Sequence, residues 1–254
     1  MKKRGQVTTF MIVGLVILII FILLFSIRRT GFGMKSQDYL ESSADDIKSK
    51  INDCVDRDTK EILDLLGKQG GYLSPSSYLL YNGYNVAYLC NNIPDTDQCA
   101  NAMINTADIE NQLSDYIKAN LRECMQKDAL GAGFLSTYEI IRGDTEVKTT
   151  IEENAVIFTI DPKITMKKGD SSLTIQEYSK SVNLPLGLLL DTTYEIVNNE
   201  AQYGVFFNNE YMLAKRGAVE IYKDQPYPHK VYVLNARDSD YIFQFAIESE
   251  GANE

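Results

Sequence analysis

Four cysteines, one histidine and two pairs of alternate aspartates are the residues of this chain best placed to do chemistry. The histidine, His229, lies in QPYPHK among turn residues, where an exposed loop position is expected. With no second histidine there is no HExxH motif and no histidine-based metal cluster. Asp95 with Asp97, and Asp238 with Asp240, have the spacing that lets alternate carboxylates share a calcium ion. Neither pair is extended into a full ligand loop, so both read as solvated turns. No GxSxG, no phosphate-cradling glycine loop and no defensible Ser/His/Asp spacing is present. No catalytic residue, cofactor or metal ligand is therefore assigned. The chemistry left open is a pair of carboxylates meeting in space, as in glycoside hydrolysis.

The cysteines say more. Cys54, Cys90, Cys99 and Cys124 include no CxxC pair, which argues against zinc and for two disulfides in an oxidising compartment. Three connectivities are possible. The preferred one closes NNIPDTDQ with Cys90–Cys99 and ties two helices together with Cys54–Cys124, because each member of the second pair falls on the apolar face of a predicted helix. In a loop-entropy model these links would contribute about 2.7 and 4.4 kcal/mol respectively. Buried free thiols are the alternative.

The elements that must position these residues change in texture along the chain. From Met34, apolar residues Leu40, Ala44, Ile47, Ile51, Cys54, Ile62 and Leu65 recur at helical steps, interrupted where Asp58 falls on the seam. A long stalk helix closed by Gly70 and Gly71 is expected. Asn82-Gly83 then predicts a two-residue hairpin turn, pairing Tyr81 with Tyr84 and Leu79 with Val86 and leaving Leu80, Ala87 and Leu89 on the other face. The hairpin tyrosines allow an adhesive, glycan-binding reading, but packing on a neighbouring helix is the simpler one. A second helix carries Ile109, Leu113, Tyr116, Ile117, Leu121, Cys124 and Met125, with Asp108 near its positive end. After Gly131–Gly133 the pattern becomes β-branched and alternating, as in an antiparallel meander. Leu186, Leu189, Leu190, Tyr194 and Val197 predict one helix laid across that sheet. Three units follow: 1–33, a leader, apolar helix and joint; 34–130, a disulfide-linked helix and hairpin unit; 131–254, an antiparallel α+β domain. The tail SEGANE is expected to be disordered.

The opening MKKRGQVTTFMIVGLVILIIFILLFSIRRT sets the expected location. Every residue from Phe10 to Ile27 except Ser26 is apolar or Gly, and eighteen helical positions span about 27 Å. The run ends in Arg28 and Arg29 rather than a small-residue cleavage site, so a retained transmembrane helix is expected, with the lipid bilayer as its partner. Charge flanks favour a cytoplasmic N-terminus and an extracytoplasmic remainder, a single-pass membrane protein. Met1 to Arg29 carries five of the 25 basic residues and none of the 35 acidic ones, leaving 20 basic against 35 acidic residues in the rest. That acidic surface disfavours nucleic acid as a partner.

The segment KKRGQVTTFMIVGLVILIIF resembles the class III signal sequence of archaeal type IV pilin-like proteins, over about the first 30 residues. The resemblance implies processing between Gly5 and Gln6 by a prepilin peptidase and a mature helix that packs against its copies in a filament. It departs at Phe10, where pilins usually carry Glu. The remainder looks like uncharacterised single-pass surface proteins of small-genome archaea. The expected function is a non-enzymatic, membrane-anchored surface subunit, structural, adhesive or complex-forming, with self-association or a membrane-complex partner. The alternatives are a processed pilin-like filament subunit and an extracytoplasmic hydrolase using carboxylates.

Overall fold

A computed structural model describes residues 5–29, 36–96, 98–125 and 139–249, with side chains described from 11 to 26 and from 40 onward within those ranges. The joint at 30–33, Asp97, the glycines at 131–133 and the tail from 250 lie outside the described residues. The fold is α+β, with five helices, several sheets and two disulfides among the described residues.

α1 is helical over Gly5–Arg29. Among the described residues no helix is long and apolar enough to cross a membrane, which corrects the expected transmembrane helix over Phe10–Ile27.

α2 (Ser36–Lys68) is the long helix expected after the joint. Its apolar face packs against α3 (Thr106–Cys124), β2 (Tyr84–Asn92), β7 (Ile164–Lys168), β8 (Ser171–Thr174) and β12 (Ile242–Ile247). The predicted break at Asp58 is bridged by a small shift of the buried stripe onto Val55, Thr59, Ile62, Leu63 and Leu66. Thr59 hides its hydroxyl by donating to the Val55 carbonyl at 2.5 Å. The helix closes at Gly70 and Gly71, whose φ of 72° and 90° suit residues without a Cβ, and the Gly71 N–H returns to the Leu66 carbonyl at 2.9 Å. β12 crosses this end closely. The Tyr241 hydroxyl donates to the Leu63 carbonyl at 2.9 Å, and the Gln244 amide donates to the Lys68 carbonyl at 2.8 Å. A Cβ at Gly67 would stand 2.3 Å from the Ile242 carbonyl oxygen, so the approach requires glycine.

The hairpin β1 (Tyr78–Tyr81) and β2 turns at Asn82 and Gly83, both at positive φ, with Tyr81 opposite Tyr84 and Leu79 opposite Val86. It belongs to a six-stranded sheet in the order β1-β2-β12-β11-β10, with β3 (Cys99–Asn101) also on β2. β10 (Val219–Asp224), β11 (Lys230–Ala236) and β12 pair antiparallel, while β12 joins β2 in parallel. Ala87 and Leu89 enter the main core, Leu80 stays 70% exposed, and the other face holds a small cluster of Val86, Val231 and Ala246 under Tyr81, Tyr84 and Tyr88.

The strands after residue 138 do not form a single meander: β10, β11 and β12 join the hairpin in the large sheet, and the earlier ones divide into two interleaved three-stranded sheets, β4-β7-β8 and β5-β6-β9, with β4 at Glu139–Arg142, β5 at Glu146–Glu152, β6 at Ala155–Asp161 and β9 at Tyr178–Asn183. α3 lies along β5 and satisfies its backbone: the N–H of Thr149 donates to Ser114 Oγ at 2.9 Å, and that of Ile151 donates to Glu110 Oε1 at 2.8 Å. An edge strand so covered cannot recruit another chain. α4 (Leu186–Tyr203) packs on strands of both the large sheet and the β5 sheet, and α5 (Asn208–Ala214) packs on β10. Tyr194 is 57% exposed rather than inward, because the buried stripe follows Leu186, Leu190, Thr193, Val197 and Glu200. One buried cluster runs from Leu40 to Ile247.

Candidate functional site

Two features stand out once the body is folded. The first is α1, where apolar side chains from Met11 to Phe25 stand between 47% (Val16) and 74% (Met11) exposed. Gly5 and Gln6, the expected processing junction, lie at its first residues, and their side chains, like that of Phe10, fall outside the described ones.

The second is a polar cleft of about 250 Å³ at the end of β12, lined by Glu200, Lys230, Glu248, Asn92, Gln98 and the Cys99 end of a disulfide. Cys90 and Cys99 are bonded with Cα atoms 5.4 Å apart, which pins the loop forming one wall. Cys54 and Cys124 are bonded with Cα atoms 6.2 Å apart and join α2 to α3, leaving no free cysteine among the described residues. Glu200 reaches the cleft because it continues the buried stripe of α4, and its side chain is 1% exposed. Lys230 and Tyr232 stand two residues apart on β11 and so share a face.

These three residues form one knot. Lys230 Nζ donates to Glu200 Oε2 at 2.6 Å and to the Gly204 carbonyl at 2.7 Å, while the Tyr232 hydroxyl donates to Glu200 Oε1. Tyr232 is fully buried and stacks on Phe245 at 5.4 Å. Its burial, and then the Glu200 charge and hydrogen bond, hold the phenol well above the usual tyrosine range. A buried carboxylate needs such partners, since an unpaired charge there would cost several kcal/mol. At the rim, Glu248 Oε2 accepts from the Asn92 N–H at 3.0 Å. Burial, assisted by the Glu248 charge, raises Tyr88.

The cleft thus gathers two carboxylates, but Glu200 has an oxygen engaged by a phenol and the other by an ammonium. That arrangement fixes β11 to α4 more readily than it transfers a proton. Sequence reasoning gave Glu200 no role, because its partners on β11 lie 30 and 32 residues further along the chain. The available signal was its place, three residues beyond Val197 on the apolar stripe.

The other candidates disperse. His229 is half-buried rather than exposed, set edge-on to Tyr88 with centroids 5.1 Å apart, and its Nδ1 accepts from the Ser249 N–H at 3.4 Å. Asp95 and Asp238 occupy left-handed turn positions with φ of 62° and 66°. No group of three or more His, Cys, Asp or Glu that could hold a metal is present among the described residues. Among the tyrosines of the hairpin, Tyr81, Tyr84 and Tyr88 pack on the small outer cluster, and Tyr78 is 47% exposed. Compared with known proteins, the chain matches no family model, no curated protein and no solved structure.

Proposed function

We propose that the protein is a non-enzymatic, extracytoplasmic surface subunit, structural, adhesive or complex-forming, held in place by α1. The observation that carries this reading is the apolar surface of α1 from Met11 to Phe25. Apolar area left in water costs about 25 cal/mol per Å², so a helix exposed along its whole described length needs a lipid or protein surround. Two disulfides support an oxidising compartment for the body. The committed oxygens of Glu200 favour a binding or structural role over carboxylate hydrolysis.

A second reading is a pilin-like filament subunit, processed between Gly5 and Gln6, in which copies of α1 cover one another. The same exposed helix favours it. One set of measurements tests both: membrane extraction and sedimentation of the full chain, its cysteine state on isolation, and its N-terminal residue by sequencing. The surface-subunit reading expects a detergent-requiring or self-associated protein with oxidised cysteines. A monomer that stays in aqueous buffer without detergent, or reduced cysteines in the native protein, overturns it. A start at Gln6 with filaments containing the chain selects the second reading, and an intact Met1 or Lys2 start removes it.

A further inference from the structure

We propose that a cationic cleft at the far end of the large sheet binds an oxyanion, a carboxylate or phosphate group carried by an anionic ligand. The cleft, about 590 Å³, lies where the turn after α5, the β11–β12 turn, the β5–β6 turn and the start of α4 meet. Lys215, Arg216 and Arg237 line it against two carboxylates, Glu153 and Asp238. This local excess of positive charge sits on a chain whose net charge is −10. Among the described residues none of the three cations forms an ion pair, although carboxylates share their cleft.

Two of these exposed cations are engaged: Lys215 Nζ lies 5.4 Å from the Tyr211 ring centroid, and Arg237 bridges two turns. Arg237 donates from its guanidinium to the Arg216 carbonyl at 3.2 Å, tying the two turns together. Its backbone N–H donates to the Ala218 carbonyl at 2.9 Å. Arg216 and Gly217 follow one another at φ of 52° and 66°, and a Cβ on Gly217 would stand 2.5 Å from the Arg237 guanidinium, so the glycine leaves room for that arginine. Two guanidinium forks on pinned turns match the planar, bidentate geometry of carboxylate and phosphate, and Asn154, Asn183 and Ser239 on the same walls add neutral hydrogen-bonding groups. The first turn of α4, at Pro185, carries no acidic residue to oppose an anion. Nothing in this cleft overlaps α1 or the Glu200 knot, so the inference goes beyond the proposed function and stands apart from it.

The test is titration calorimetry of the full chain in neutral detergent at low ionic strength, with inorganic phosphate in one arm and tetragalacturonate in the other. Binding in the phosphate arm alone identifies a phosphate source, binding in the uronate arm alone an acidic glycan, and both support the oxyanion site. The R216Q/R237Q variant should lose about tenfold or more in affinity, while the charge-matched K60Q/K148Q variant should match the parent chain. D238N keeps a residue tolerant of the left-handed region and removes an opposing charge, so it should bind about two- to tenfold tighter, a gain that misfolding cannot produce. No binding of either probe at 10 mM, equal affinity in R216Q/R237Q and the parent, or equal losses in the two double variants would overturn the proposal.

Discussion

Replacing Lys230 by Met asks what the buried knot is worth. Glu200 is 1% exposed, and its Oε2 accepts from Lys230 Nζ at 2.6 Å while Oε1 accepts from Tyr232. K230M leaves that carboxylate buried with one neutral donor, and breaking a buried pair from one side costs about 3–5 kcal/mol. E200Q leaves a different imbalance. Lys230 is 21% exposed and keeps the Gly204 carbonyl, so its charge is partly solvated and the cost should be about 1–3 kcal/mol. In E200Q/K230M no charge remains, and the glutamine oxygen can still accept from Tyr232. The double variant should therefore be more stable than K230M alone, with a coupling of about 2 kcal/mol or more. Urea unfolding of the full chain in detergent, followed by far-ultraviolet circular dichroism, measures each corner of the cycle. If K230M falls within about 1 kcal/mol of the parent, as a surface pair would, or if the two single effects simply add, the knot is not a coupled buried unit and the argument fails.

Gly67→Ala should destabilise the chain by about 1–3 kcal/mol, against the usual gain of a helical alanine, because its Cβ would meet the Ile242 carbonyl oxygen at 2.3 Å. A raised thermal midpoint for this variant would show that β12 yields at that crossing. Removing Cys54–Cys124 should cost more than removing Cys90–Cys99, about 4.4 against 2.7 kcal/mol, since the closed loops span 70 and 9 residues. Paired alanine variants compared by urea midpoint check the order. At alkaline pH, burial pushes the Tyr178 phenol up to about 12, while an unfolded tyrosine ionises near the ordinary value of about 10. The unfolded chain then binds fewer protons between those values, so stability present below pH 10 is lost as pH rises toward 12. Tyr232 and Tyr241 are raised further, mainly by burial, and should ionise only with unfolding. Absorbance at 295 nm, followed with circular dichroism, would expose an error if all tyrosines titrated together before the fold was lost.

Local pattern was legible wherever neighbours in sequence are neighbours in space. Asn82-Gly83 specified the hairpin and its register because only such residues take two successive positive φ values cheaply. The stripes of α2 and α3 were readable from apolar spacing, and that spacing carried Cys54 and Cys124 onto facing helices. Periodicity gave the strands after residue 138 but not their partners. A strand's alternation records which face is buried and is silent on which strand lies beside it, so two interleaved sheets looked like one meander. The parallel contact of β12 with β2 joins residues about 160 positions apart, such as Ala246 and Tyr88, and has no local trace. The same limit hid both clefts: Glu200 became a buried acid only when β11 brought Lys230 and Tyr232 to it, and Arg216 and Arg237 converged only when two distant turns met. For the opening stretch, apolar composition set the expectation of a crossing helix, whereas among the described residues no helix is long and apolar enough to cross a membrane, and Met11 to Phe25 form an exposed apolar surface. Composition and spacing thus determined what each segment must bury, and tertiary contact decided which charges that burial brought together.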